Sequence, residues 1–126
     1  MKIQKRNILL IEEDEHIRNI VGGILSRQGG HTVRPASSNE EGVRLFEENP
    51  DTDFVIKIKS IADDDCLDTI RHIKKRVFPP EVWLTIGYAP ESIQKEASAL
   101  QVKIINSTRL LKELAFAGMI PIGTGF

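Results

Sequence analysis

The sequence predicts an α/β fold, a doubly wound parallel sheet, because short apolar runs and amphipathic helical patterns alternate five times along its 126 residues. The five apolar runs lie at 7–11, 32–34, 54–58, 82–85 and 102–105. Strands separated by helices run parallel, and right-handed crossovers then place helices on both faces of the sheet. Burial on both faces explains why each run is continuously apolar instead of alternating with polar residues.

The helical segments carry recognisable faces and ends. In the first helix, five apolar residues at helical spacing form one stripe: Ile17, Ile20, Val21, Ile24 and Leu25. The second helix begins at Ser38, three residues before Glu41, which is the spacing of a capping box. The third is expected to start near Asp65, and the fourth has Pro90 in its first turn.

Composition excludes several classes of function. The 17 basic and 18 acidic residues leave a net charge of -1, which gives no global field for nucleic acid. No apolar stretch approaches the length of a bilayer span, so no membrane insertion is expected. The single cysteine, Cys66, favours a reducing compartment, and we expect a cytoplasmic protein. The three histidines are scattered, and we expect each to be exposed.

Four consecutive acids, "EEDE" at 12–15, follow the first strand. In a doubly wound sheet the functional crevice lies beyond the carboxyl ends of the strands, where the winding reverses. The acids therefore either bind a divalent cation there or form the solvated first turn of a helix, where negative charge is favourable. A phosphate-cradling loop would need Gly, Ser and Thr instead, so a flavin nucleotide is not expected.

Several segments resemble the receiver domain of response regulators. They are "ILLIEEDEHIRNIV", "DFVIKI" from Asp53, "PEVWLT" from Pro80 and "LLKEL" in the last helix. The resemblance runs from about Lys5 to Leu114 and implies a CheY-like, flavodoxin-like fold with five helices and the strand order 2-1-3-4-5. The apolar but glycine-rich segment from Phe116 to Phe126 departs from the helical pattern beyond about Gly118, so we expect a receiver-like domain at 1–118 and a C-terminal tail at 119–126.

The same resemblance shows where this chain departs from the family. Receivers accept a phosphoryl group on an aspartate at the end of the third strand, and Ile58 occupies that position here. An isoleucine has no lone pair with which to attack phosphorus. Ser107 stands where the family has a lysine followed by proline, whereas Thr85 matches the family's hydroxyl residue after the fourth strand. The resemblance thus implies a degenerate receiver, or pseudo-receiver, that is not an enzyme and requires no cofactor.

Two hypotheses concern the charges around this position. Glu12 and Glu13 are weak candidates for Mg²⁺ ligands, because glutamate is one methylene longer than the family's aspartate and the third carboxylate is missing. By strand alternation Lys57 and Lys59 share one face of the sheet while Ile58 points to the other. One lysine is therefore expected either to pair with Glu12 or Glu13 as an internal counter-ion or to extend to solvent.

Two alternatives use the acid cluster "DDD" at 63–65. A conventional phosphoryl-accepting receiver would require Asp63 to reach the pocket. A metal-dependent enzyme resembling the topoisomerase-primase (Toprim) family would join Glu12 to Asp63 or Asp65 through a shared ion. Aspartate is also a preferred helix cap, which is the plainer interpretation of this cluster.

The reading favoured over these alternatives is an atypical receiver in two-component signal transduction that acts by phosphorylation-independent protein–protein interaction. The resemblance implies a partner surface on the fourth helix, fifth strand and fifth helix. Its candidate contacts are Gln94, Lys95, Lys103, Arg109 and Lys112. The expected partner is a kinase, an output domain or, in a homodimer, a second copy of the chain.

Overall fold

Five parallel strands form the centre of the protein in the computed structural model, which describes residues 2–59 and 66–123. The strands are β1 (Asn7–Ile11), β2 (Thr32–Ala36), β3 (Phe54–Lys59), β4 (Glu81–Ile86) and β5 (Lys103–Asn106). Their order in the sheet is β2-β1-β3-β4-β5, and every neighbouring pair is parallel. The predicted fold class and strand order are confirmed.

Helices connect the strands in sequence. They are α1 (Glu15–Gly23), α2 (Asn39–Glu48), α3 (Asp68–Lys74), α4 (Glu91–Ala99) and α5 (Leu110–Phe116). The predicted cap of α2 is present, since the Glu41 amide donates to Ser38 Oγ at 3.1 Å. The first described residue of α3 is Asp68, and Pro90 precedes α4 as its N-cap.

Each face of the sheet has its own apolar core. One core combines Leu9, Ile11 and Val55 with side chains of α2, α3 and α4. The other combines Ile8, Leu10 and Ile56 with side chains of α1 and α5. Alternate strand residues therefore point to opposite layers, as the pleat requires.

The first helix departs from the predicted single stripe. α1 continues directly into a π-helical turn at Ile24–Gln28, and Val21 and Leu25 are buried against the sheet. In contrast, Ile17 and Ile20 are 41% and 60% exposed. The apolar residues of this helix thus divide between two directions, one toward the sheet and one toward α5.

The beginning of the C-terminal tail packs on the domain. Met119 and Ile120 are buried in the core shared with α1 and α5. His31 Nε2 lies 2.7 Å from the Met119 carbonyl oxygen, which connects this segment to the turn before β2. Contrary to expectation, His31 is therefore buried, because both of its ring nitrogens have partners inside the protein. His16 and His72 are exposed.

Candidate functional site

The candidate site lies at the carboxyl ends of the strands, which we call the carboxyl edge. The winding reverses at β1, whose neighbours β2 and β3 lie on either side of it. Glu12 follows β1, while Ile58 near the end of β3 pairs in register with Thr85 of β4. Glu12, Ile58 and Thr85 line one common cavity, so the fold brings these three predicted site residues together.

Ile58 and Lys57 point to opposite faces of β3. Ile58 is half-buried and packs against the core on the α1 and α5 side. Lys57 is only 2% exposed, and its ammonium donates to Asn39 Oδ1 at 2.8 Å in the first turn of α2. A buried ammonium requires such polar contacts, because desolvation without them is costly.

A cation that the sequence did not point to, Arg18, binds the backbone of the acidic segment. Arg18 Nη1 donates to the carbonyl oxygens of Glu12 at 2.8 Å and Glu13 at 3.2 Å. Among the described residues, neither Lys57 nor Lys59 forms an ion pair with Glu12 or Glu13. Lys57 does not pair with Glu12 or Glu13 because its side chain extends toward α2, where Asn39 accepts its hydrogen bond.

Glu12 is a buried carboxyl group. Burial raises its pKa above the usual value of 4.5, and the nearby charges of Asp14 and Glu13 act in the same direction. A hydrogen bond from the Asp14 amide to Glu12 Oε1, at 2.8 Å, and the charge of Arg18 oppose this rise. Desolvation is the largest of these effects, so the neutral acid is favoured relative to a carboxyl group in water.

Thr85 carries an unpartnered hydroxyl group. The residue is 1% exposed, and its Oγ1 atom has no hydrogen-bond partner in the described part of the chain. Buried hydroxyl groups are normally paired, because leaving one unpaired costs about 1–3 kcal/mol. Thr85 is also one of the residues that line the cavity at this edge.

The cavity at this edge has a volume of about 770 Å³ and extends between α1 and α5. Its apolar wall includes Ile17 and Ile20 of α1, Ile24 of the π-helical turn, Ile58 of β3 and Leu111 of α5. The polar residues that line it within 2–59 and 66–123 are Glu12, Lys59, Thr85, Ser107, Thr108 and Lys112. The volume lies within the range of about 300–1,000 Å³ that small-molecule pockets occupy.

At the end of β5, a hydrogen-bonded asparagine caps the turn that follows the strand. Asn106 is the last strand residue, and its Nδ2 donates to the Gly87 carbonyl oxygen at 3.1 Å. Its Oδ1 accepts from both the amide and the hydroxyl group of Thr108, so Asn106 caps the following 3₁₀ turn, Ser107–Arg109. Ser107 lies beside this cap, is exposed and lines the cavity.

The predicted partner surface is exposed and carries several cations. All five of its candidate residues are exposed: Gln94, Lys95, Lys103, Arg109 and Lys112. Glu113 lies 3.2 Å from Lys103 Nζ and 3.7 Å from Arg109 Nε, and Glu91 lies 3.2 Å from Lys95 Nζ.

A second groove, of about 520 Å³, lies beside these residues and includes Gln94, Ile104 and Tyr88. Tyr88 is 76% exposed. An exposed tyrosine beside a partly apolar groove is a favourable anchor for a protein interface.

The acid cluster at 63–65 lies outside the described residues, and so do the two alternatives that depend on Asp63 and Asp65. Within 2–59 and 66–123, no group of three or more His, Cys, Asp or Glu side chains has an arrangement that could hold a metal ion. Every helix in these two ranges is too short or too polar to cross a bilayer. Cys66 is buried.

Sequence reasoning did not identify Arg18 or Asn39 as residues of this edge. Arg18 occurs within an apparently ordinary amphipathic helix, and nothing in its spacing indicates that it binds carbonyl oxygens. Asn39 occurs in the capping segment "SNEE", where a polar residue has a sufficient local explanation. The apolar residues of α1 that line the cavity are visible in the sequence. Their spacing, however, is the same as that of residues that pack in a core, so it does not indicate a cavity.

Comparison with solved structures identifies the fold as that of receiver domains. The protein matches the non-phosphorylated HemR receiver domain from Leptospira biflexa with a TM-score of 0.75 and 20% identity, covering 96% of this chain and 98% of that one. It matches a response regulator receiver domain protein from Clostridium thermocellum with a TM-score of 0.66 and 24% identity, over 89% and 93% of the two chains.

A third match is the N-terminal domain of an uncharacterized protein from Wolinella succinogenes. The TM-score is 0.70 and the identity 25%, over 88% of this chain and 92% of that one. No protein-family model matches the sequence, and no curated protein matches it. The solved structures therefore show a receiver fold, and several of these structural neighbours are receiver domains of response regulators.

Proposed function

We propose that this protein is a pseudo-receiver, a signalling module that acts by binding a protein partner without being phosphorylated. The observation that carries the proposal is Ile58, whose aliphatic side chain lies at the carboxyl edge of β3 opposite Thr85 and lines a cavity with Glu12. Phosphoryl transfer needs a nucleophilic oxygen at the reacting position, and an alkyl group supplies none. The module would act in the cytoplasm, would not be an enzyme and would require no bound cofactor.

The charges of the site support the same proposal. Mg²⁺ binds through carboxylate oxygens in most protein sites, and burial raises the pKa of Glu12, which makes its ionised form less favourable than that of a carboxyl group in water. One Glu12 oxygen already accepts the Asp14 amide, which reduces the capacity left for a metal. Glu12 and Glu13 therefore remain only weak Mg²⁺ candidates.

The partner surface would be the face formed by α4, β5 and α5, together with the groove beside Tyr88. This face has four cations, Lys95, Lys103, Arg109 and Lys112. Its acids are Glu91, Glu113 and Glu96, and Glu96 is already paired with Arg71. Complementary charge steers association, so the proposed partner carries acidic side chains around an apolar contact for Tyr88. A kinase domain, an output domain or a second copy of the chain would each have to meet this requirement.

Incubation with acetyl phosphate and Mg²⁺, followed by intact-mass analysis, tests the first half of the proposal. We expect no gain of a phosphoryl group, while a receiver domain that carries the aspartate should gain one under the same conditions. A gain on this protein would overturn the proposal, and peptide mapping would show which acid accepts the group. Modification within 63–65 would favour the conventional receiver that uses Asp63.

Site-specific photo-crosslinking tests the second half. A photo-reactive amino acid at position 88 should crosslink to a protein partner, while the same group at position 77 should not, because Val77 is equally accessible but follows α3. Charge reversal by Lys103→Glu should abolish the adduct. Equal crosslinking from both positions, or indifference to Lys103→Glu, would exclude this face as the interface.

A further inference from the structure

We propose that the outer face of α1 and α5 binds a second copy of this chain and forms a two-fold symmetric dimer. This face, which we call the α1–α5 face, consists of Ile17 and Ile20 of α1 and of Leu111, Lys112 and Phe116 of α5. It shares α5 with the proposed partner surface but includes α1 in place of α4 and β5. Dimerisation through it does not depend on whether the protein is phosphorylated.

Exposed apolar side chains are the first observation that supports the dimer. Ile17 and Ile20 are 41% and 60% exposed on α1, and Phe116 is 75% exposed on α5. Phe116 lies one helical turn after Lys112, and Lys112 lines the same cavity as the two isoleucines. Apolar side chains gain free energy when they leave water, and an exposed apolar patch on a soluble protein marks an interaction surface. Covering the α1–α5 face is therefore favourable.

The direction of the two helices is the second observation. α1 follows β1 and α5 follows β5, so both helices begin at the carboxyl edge of the parallel sheet. α5 ends near the amino edge, where the Met119 carbonyl oxygen contacts His31 in the turn before β2. A two-fold axis parallel to the helices would place α1 of each copy against α5 of the other, with all four helices beginning at the same end. Such a contact requires a face that is complementary to itself.

The charges at the beginnings of the two helices provide this complementarity. Glu13, Asp14 and Glu15 are exposed at the beginning of α1, whereas Lys112 is exposed in the first turn of α5. Within 2–59 and 66–123, no ion pair involves Glu13, Glu15 or Lys112. In the parallel arrangement the acids of each copy lie beside Lys112 of the other, so the favourable contact forms twice.

The opposite arrangement does not use these charges. An antiparallel pairing would place α1 against α1 of the other copy, with each acidic segment at the end remote from the other copy's Lys112. One face thus carries both the acids and the cation of a complementary pair, on two helices that a two-fold axis exchanges. This pattern favours a second copy as the occupant, in the parallel arrangement.

Sedimentation equilibrium of the full chain over a range of concentrations tests the dimer. We expect a reversible species with twice the mass of one chain. Ile20→Glu places a charge in the centre of the face and should weaken dimerisation by about tenfold or more, which corresponds to about 1.4 kcal/mol. Val77→Glu makes the same change at an exposed site after α3 and should leave the dimer unchanged.

A variant of the proposed partner surface separates the two proposals. Lys103→Glu should leave the dimer unchanged, because Lys103 lies on β5 and outside the α1–α5 face. A chain that stays monomeric at every concentration would overturn the dimer, and so would a dimer that Ile20→Glu does not weaken. Dissociation by Lys103→Glu would place the dimer contact on the partner surface instead and would also overturn this inference.

Charge reversal tests the reciprocal contact between α1 and α5. Lys112→Glu should weaken the dimer, and so should the double variant Glu13→Lys with Glu15→Lys, because like charges then face each other. An equimolar mixture of these two proteins should form a heterodimer with about the affinity of the parent, because opposite charges meet again at both contacts. Failure of the mixture to associate would overturn the parallel arrangement.

Discussion

The two edges of the sheet differ in how completely their polar groups are paired. At the amino edge, where the strands begin, Arg6 Nε lies 3.0 Å from Asp53 Oδ1, and Asp53 also accepts the Asn7 amide at 3.2 Å. His31 Nδ1 accepts the Arg6 amide at 3.0 Å, and Trp83 Nε1 donates to Glu81 at 2.9 Å.

The carboxyl edge, in contrast, contains a buried acid with a raised pKa, an unpartnered hydroxyl group and a cavity. Side chains of the amino edge are therefore arranged for stability, while those of the carboxyl edge retain unsatisfied groups that a ligand can pair. Removing a paired group at either edge should consequently destabilise the protein, whereas removing the unpaired Thr85 hydroxyl group at the carboxyl edge should stabilise it.

The largest effect is expected for His31→Ala at the amino edge. The change removes a buried ring and leaves the Arg6 amide and the Met119 carbonyl without their partner. Each unpaired buried group costs about 1–3 kcal/mol, so the loss of both partners should lower the free energy of unfolding by about 2–6 kcal/mol. Urea denaturation measures this loss. His72→Ala is the control, because His72 is exposed and pairs only with Glu47, and it should change stability by less than about 1 kcal/mol.

Lys57→Ala should have the second largest effect, by about 2–4 kcal/mol, although it lies at the carboxyl edge. It removes a fully buried side chain and leaves the Asn39 amide oxygen without its donor. Lys59→Ala, at a half-buried position on the same strand, should cost less in the same denaturation experiment. Equal losses for the two variants would mean that the buried contact to Asn39 contributes little.

Thr85→Val should stabilise the protein by about 1 kcal/mol, because it replaces an unpaired buried hydroxyl group with a methyl group of similar shape. The matched change near the amino edge is Thr52→Val. Thr52 is also buried, but its hydroxyl group donates to the Asn49 carbonyl oxygen at 2.8 Å, so its loss should destabilise the protein by a similar amount. Thermal unfolding should therefore shift in opposite directions for the two variants. A loss of stability in both would show that Thr85 has a partner in solution.

The smallest effect concerns the pH dependence of stability. The folded pKa of Glu12 lies above its unfolded value, so its ionisation opposes folding as pH rises above about 4.5. Glu12→Gln should therefore be more stable than the parent at pH 7 and equal to it in acid.

Glu96→Gln provides the opposite case. The bidentate contact with Arg71 lowers the pKa of Glu96, so Glu96 stabilises the fold above pH 4.5 and loses this effect as the pH falls below that value. Glu96→Gln should accordingly be less stable than the parent at pH 7. Denaturation curves of the parent and both variants, recorded in acid and at pH 7, test the two predictions. A change of stability of the same sign in both variants at pH 7 would contradict the opposite pKa shifts of Glu12 and Glu96.

Most of the sheet could be predicted from the sequence, whereas the site could be predicted only in part. Five apolar runs sufficed to locate the strands, because burial on both faces leaves few polar residues in them. Strand alternation also assigned Lys57 and Ile58 to opposite faces. It could not identify Asn39 as the partner of Lys57, because that contact depends on how α2 sits over the sheet.

The helix stripe of α1 was harder to interpret. Its apolar spacing does not distinguish a residue packed on the sheet, such as Leu25, from one that borders a cavity, such as Ile20. The π-helical turn also left no distinct pattern in the sequence. The exposure of the α1 side chains and the position of the π-helical turn depend on how the helix packs on the rest of the protein, and not on local helix propensity.

The His31 bridge has a practical consequence for experiments. Because His31 binds the Arg6 amide on one side and the Met119 carbonyl on the other, it holds the first strand's entry and the segment after α5 at the same side of the sheet. A fluorescent reporter or surface tether attached next to Arg6 or at the exposed Pro121 would lie on that side, remote from Ile58. Protein immobilised at either of these positions would therefore keep its cavity open to solution.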